Sequence, residues 1–222
     1  MKIGVYSVGA GAHHEVAKFL LESLKKHMLD VPVFHLTDEE TPAFAEPIRK
    51  PFQPLSVHRT QFCAELEGDW LYLDTDIVLT RDVRGIFDQD FDLAYAERDE
   101  DNDYARSMPV NLGVIFSRTT KFWQDILPAV LQLPPRLQAW EGAQLATGWY
   151  VTRSESWFTD RGYKPYKILK LPSEYNHAPE NENDTQAAIL HYKGKRKRWL
   201  GFPIDSIRPT GWIGSGRAIG ER

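Results

Sequence analysis

The 222-residue sequence predicts an α/β protein with a mainly parallel, twisted sheet flanked by helices. Three features carry that expectation. The chain opens with an apolar strand, an amphipathic helix and a second strand, the order of a parallel unit with a crossover. A compact apolar run, Trp70-Leu71-Tyr72-Leu73, ends abruptly on Asp74-Thr75-Asp76, as a buried strand meeting its outgoing loop would. A composition of 42% hydrophobic and 26% charged residues suits a folded domain with a sizeable core.

In order, Ile3 to Val8 reads as a strand and Gly9 and Gly11 as a turn. Val16, Phe19, Leu20, Leu24 and Met28 have helical spacing over Glu15 to Met28. Val31 to Leu36 is a second strand. Four prolines between Thr41 and Pro54 preclude a helix, so that passage is expected to be a surface excursion. A helix from Ser56 to Glu67 leads into the Trp70 strand. Glu97 to Asp103 reads as an acidic loop, Val110 to Ser117 as a strand, and Lys121 to Leu133 as a helix bent at Pro128. A further helix is expected over Leu137 to Tyr150, with late strands at Lys167 to Leu171 and Ala187 to Tyr192. Residues 1–203 are expected to form one domain and residues 204–222, rich in glycine and arginine, a loosely ordered tail.

The net charge of -4 argues against a general nucleic-acid binder. The lone cysteine, Cys63, allows no internal disulfide. No apolar run reaches the length of a membrane span, and the glycine-rich start reads as a strand and loop rather than a signal peptide. A cytoplasmic location is expected.

Asp74 and Asp76 lie two apart, so in an extended chain their carboxylates share a face. At the carboxyl edge of an α/β sheet, where ligands bind, two such carboxylates repel unless a divalent cation lies between them. A helix-capping role would need only one of them. Asp74-Thr75-Asp76-Ile77-Val78 also satisfies the D-x-D-x-[TV] pattern of haloacid-dehalogenase phosphatases, in which Asp74 would be the nucleophile and Asp76 the general acid. That motif normally opens its domain and needs a second acidic pair, which is not evident here. Far along the chain, His191-Tyr192-Lys193-Gly194-Lys195-Arg196-Lys197 fits H-x-x-G-x-x-K, with Trp199 following. Imidazole can ligate a metal, glycine lets backbone amides approach an anion, and lysine offsets phosphate charge. The bland alternative is a solvated basic turn.

The segment Leu71 to Leu79 resembles the donor-binding strand of glycosyltransferase family 8, the galactosyltransferase and glycogenin group, and the later segment resembles its H-x-x-G-x-x-K-P-W element, with Arg198 in place of the proline. The resemblance implies a GT-A fold and transfer of a hexose from a UDP-sugar to an acceptor hydroxyl, with retention of anomeric configuration. It implies Asp74, Asp76 and His191 as ligands of Mn²⁺ or Mg²⁺, and Gly194 and Lys197 as contacts to the diphosphate. By the same resemblance Arg59 reaches the donor sugar and the acidic cluster. Asn111, in Asn111-Leu112-Gly113-Val114, contacts the donor sugar, and Tyr6 or Ser7 lines the nucleotide pocket. Gln144 and Glu141 match an Asp-Gln pair under the reacting sugar, imperfectly, and Tyr175-Asn176 resembles a further Y-N pair. The acceptor, whether carbohydrate, lipid or protein, is left open, as is a protein that keeps the fold and only binds nucleotide or glycan.

Overall fold

The computed structural model describes residues 1–8, 12–98, 106, 108–152 and 166–201. The Gly9–Gly11 turn, most of the acidic loop and the tail lie outside the described residues.

Seven strands form one sheet in the order β3-β2-β1-β4-β7-β6-β8. They are β1 (Lys2–Tyr6), β2 (Val33–Asp38), β3 (Glu46–Lys50), β4 (Trp70–Asp74), β6 (Leu93–Glu97), β7 (Val110–Ser117) and β8 (Ile168–Leu171). Strand β7 alone runs antiparallel to its neighbours β4 and β6; the other pairings are parallel. The helices are α1 (Ala12–His27), α2 (Leu55–Glu65), α3 (Lys121–Leu131), α4 (Pro135–Gln138) and α5 (Gly142–Thr152). A second, two-stranded antiparallel sheet joins β5 (Ile77–Leu79) to β9 (Ile189–His191). The expected α/β architecture and its mainly parallel sheet are what the chain adopts. Among the described residues, no helix is long and apolar enough to cross a membrane.

Both faces of the sheet are covered, which is why its central strands read as continuous apolar runs rather than alternating ones. On β4, Leu71 and Leu73 pack with Ile3, Val5, Leu20 and Leu24 beside α1. Trp70 and Tyr72, pointing the other way, pack with Phe62, Phe122 and Trp123 of α2 and α3. Asp74 continues the second set and so faces α2, the helix that carries Arg59.

Three strands escape the sequence reading. Strand β3 lies inside the proline-rich passage, where Pro47 is tolerated because β3 is the edge of the sheet. Strand β6 is Leu-Ala-Tyr-Ala-Glu, which has no β-branched residue to mark it. Strand β5 is only three residues long. The expected helix over Leu137 to Tyr150 is broken by a turn at 139–141. A Cβ at Gly142 would lie 2.8 Å from the Leu137 carbonyl oxygen, so glycine permits the close return.

Trp123 is 1% exposed and its indole N–H donates to Ser117 Oγ at 3.0 Å. Trp123→Ala should lower the unfolding free energy by about 3–5 kcal/mol in urea titrations. A loss under about 1 kcal/mol would contradict this packing.

Candidate active site

The reversal of β7 brings its first residues to the edge where the parallel strands end. Leu73 pairs with Val114, so Asp74 stands beside Gly113. The chain then turns, and Thr75 and Asp76 lie in that turn rather than in an extended strand. The two carboxylates therefore converge through the turn, not through the alternation of an extended chain. The small sheet supplies the third group. Ile77 pairs with His191, and the Tyr192 amide donates to the Asp76 carbonyl at 2.8 Å.

One ligating atom from each of Asp74, Asp76 and His191 lies within 4.8 Å of the others. His191 Nε2 is 3.1 Å from Asp76 Oδ1 and 3.8 Å from Asp74 Oδ2. The other ring nitrogen meets Asn176 Oδ1 at 2.8 Å, and Asn176 Nδ2 donates to the Asn111 carbonyl at 3.3 Å. Because the amide nitrogen is engaged as a donor, its oxygen faces the ring, and Nδ1 must carry the hydrogen. In the neutral imidazole, Nε2 then directs a lone pair at two carboxylates. That donor set fits a divalent cation, with Asn176 orienting the histidine from behind. Asn176 and His191 are 2% and 3% exposed, so the ring has little freedom to swing away.

Gly113 is the floor of this cluster. A Cβ there would lie 2.2 Å from His191 Cε1 and 2.9 Å from Asp74 Oδ2. Asn111, expected to contact a sugar, accepts the Gly113 amide on its Oδ1 at 2.8 Å and so braces the same stretch of β7.

Two cations hold the carboxylates. Arg59 Nη1 donates to Asp74 Oδ1 at 2.7 Å, and its Nη2 donates to the Leu112 carbonyl. Lys197, read from the sequence as a diphosphate contact, donates to Asp76 Oδ2. Burial would raise the Asp76 carboxyl, but His191 and Lys197 beside it outweigh that and hold it well below the usual carboxylate range.

Gln144 Oε1 accepts from the Leu112 amide at 3.2 Å, which ties α5 to the stretch of β7 under the site. Glu141 lies in the turn before α5, so the two do not share one helix as their spacing suggested. Tyr6 pairs with Asp74 across β1 and β4, and its ring lies 5.6 Å from the Arg59 guanidinium carbon. Its hydroxyl turns inward to the Leu55 carbonyl and His58 Nδ1. Ser7 is buried with its hydroxyl 3.1 Å from His35 Nε2. Gly194 opens the turn that carries Lys197 with φ +54, a conformation that favours glycine. His177 Nε2 pairs with Asp184 Oδ2 at 2.7 Å. The sequence reading quoted Asn176 but did not place it in the site; its signal was its position after a late strand.

Gly113→Ala should fold yet lose metal affinity by at least about tenfold in calorimetric titration with Mn²⁺, since His191 and Asp74 must move apart. Undiminished affinity would contradict the cluster described. The depressed Asp76 value carries a definite sign. Its stabilisation is complete above the unfolded carboxylate value of about 3.9 and is lost as pH falls below it. Without added metal, the decline in stability between about pH 5 and 3 should be shallower in Asp76→Asn than in the parent by urea unfolding. Equal slopes would show that Asp76 is not so held.

No family model and no curated protein matches the sequence. Solved structures do match in three dimensions. The glycosyltransferase GlyE of Streptococcus pneumoniae TIGR4 aligns at 16% identity with a TM-score of 0.58, over 90% of this chain and 59% of that one. The galactosyltransferase LgtC, solved with donor and acceptor sugar analogs, aligns at 11% identity with a TM-score of 0.58, over 95% of this chain and 98% of that one. The chain thus spans under two thirds of the GlyE chain and nearly all of LgtC. At these identities the likeness is one of fold, and the chain has the fold shared by these glycosyltransferases.

Proposed function

We propose that this protein is a metal-dependent glycosyltransferase that moves a hexose from a UDP-sugar to an acceptor hydroxyl, with retention of anomeric configuration. One observation carries the reading. Asp74, Asp76 and His191, drawn from distant parts of the chain, converge at the carboxyl edge of a sheet with the fold of GlyE and LgtC. Those three residues would hold Mn²⁺ or Mg²⁺. One imidazole among oxygen ligands suits Mn²⁺ somewhat better. When bound, the cation supplies charge neutralisation for the departing diphosphate.

The chain's own residues do the rest. Lys197 is within reach of the same space and offers an ammonium to a phosphate oxygen. The Gly194 amide, at the head of the same turn, would donate beside it. Arg59 holds Asp74 in place through its hydrogen bond, and with Tyr6 and Ser7 borders the nucleotide. Asn111, Gln144 and Glu141 border the sugar. Phe52 and Trp140 are exposed near the first turn of α2, where Ser56 Oγ donates to the Trp140 carbonyl at 2.8 Å. Their flat apolar faces suit an acceptor that carries a sugar ring. Residues 1–203 would act as a single catalytic domain. The buried Cys63 thiol, pushed up to about 12 by burial, takes no part and is compatible with a reducing cytoplasm.

Thermal unfolding with UDP, with and without Mn²⁺, tests the reading. At a hundred times its dissociation constant, UDP should stabilise the protein by about 2.7 kcal/mol, a rise of about 5–10 °C, only when the metal is present. His191→Ala should fold and lose that response. UDP stabilisation in EDTA equal to that in Mn²⁺, or a His191→Ala variant that responds like the parent, would overturn it.

A further inference from the structure

Gln144 Oε1 accepts two hydrogen bonds, from the Leu112 amide at 3.2 Å and from Arg98 Nη2 at 3.2 Å. A backbone amide and a guanidinium can only donate, so this pair fixes which end of the carboxamide is oxygen. Both lone pairs of that oxygen are then committed, and the NH₂ group is the end left to meet a ligand. A single donor would let the carboxamide pivot about one bond; two donors on one oxygen set its plane. The guanidinium also polarises the carbonyl, which makes the NH₂ hydrogens stronger donors.

Arg98 is itself held firmly. Its backbone N–H donates to the Pro109 carbonyl at 2.9 Å and its Nε to the Met108 carbonyl at 2.9 Å, both at the entrance to β7. It follows β6 directly, where the pairing with β7 shifts register between Tyr95 and Glu97. Such irregularities commonly re-aim a side chain beside a functional site. The other partner of Gln144 is equally informative. Leu112 gives its N–H to Gln144 and its carbonyl to Arg59, which holds Asp74, while the next residue, Gly113, lies against His191. Gln144 is therefore registered on the same residue, Leu112, as the arginine that holds Asp74.

We infer that Arg98 is a positioning residue for the transfer reaction. It fixes and polarises Gln144 so that this side chain serves the donor sugar as a hydrogen-bond donor, not as a base or a nucleophile. The inference rests on the glycosyltransferase reading for the role of Gln144, while the Arg98–Gln144 pairing is independent of it.

The test is a double-mutant cycle read in two ways. With UDP-glucose and UDP-galactose plus Mn²⁺, donor turnover is compared for the parent, Arg98→Met, Gln144→Ala and the double variant. Arg98→Met should lower kcat by about tenfold and change the donor KM by less than about twofold. In the Gln144→Ala background the same substitution should change kcat by less than about twofold. Equal losses in both backgrounds would overturn the inference, because Arg98 would then act independently of Gln144. Should Arg98→Met fail to fold, Arg98→Gln takes its place in the cycle. The second reading needs no turnover. In ¹⁵N-labelled protein, the NH₂ cross-peaks that Gln144→Ala removes should shift in the Arg98 variant, and unmoved peaks would overturn the pairing. A parent that turns over neither donor while those peaks do shift would sink the proposed function and the catalytic part of this inference, and would leave the pairing standing.

Discussion

The site depends on one strand that runs against its neighbours. Were β7 parallel to β4, its glycine would sit at the far end of the sheet and the carboxyl edge would have no floor. Reversed, it places Asn111, Leu112 and Gly113 beside the end of β4. Its backbone then serves three clients: Arg59 on the Leu112 carbonyl, Gln144 on the Leu112 amide, and Asn176 on the Asn111 carbonyl. The seven-stranded sheet, α2, α5 and the segment before β9 are all keyed to these few peptide groups. Backbone groups are suited to this task because their directions are set by the ladder and do not depend on rotamers.

Electrostatics imposes the second constraint. Two carboxylates and an imidazole crowd a pocket in which Asp76 is 8% exposed. Ions so placed are costly unless paired on every side. Arg59 and Lys197 approach from opposite parts of the chain, one through α2 and one through the final turn, and each takes the oxygen of its aspartate that His191 does not face. The arrangement leaves the oxygens nearest the ring clustered on one side. A lone buried carboxylate would respond by holding its proton; Asp76, with His191 and the Lys197 ammonium beside it, does the reverse.

Much of this was legible in the sequence, and the remainder was hidden for definite reasons. The apolar run into Asp74 announced a strand end, and His191 with Gly194 and Lys197 kept a spacing that is informative once paired with the acidic motif. Those signals are local, so they survive without coordinates. Arg98 looked like one more charge in an acidic stretch, because nothing nearby in sequence reveals a partner on α5. Asn176 was visible only as a polar residue after a strand. Lys197 reads in the sequence as a diphosphate contact, and its partner in the structure is Asp76, a contact between residues 121 positions apart. Strand β3 escapes notice because the edge location that tolerates its proline is invisible in the sequence, and β6 because it has no β-branched residue.

The two halves of the carboxylate–imidazole cluster sit far apart in the order of synthesis. A chain emerging from the ribosome presents Asp74 and Asp76 early, while His191 and Lys197 are still to be made. Until β9 docks on β5, the aspartates have neither the imidazole nor the ammonium beside them. A nascent chain is thus a poor trap for stray cations, since two loose carboxylates bind metal weakly compared with a preorganised trio. The pairing of Ile77 with His191 thus joins residues 114 positions apart, and the cluster is complete only after nearly the whole described chain has folded.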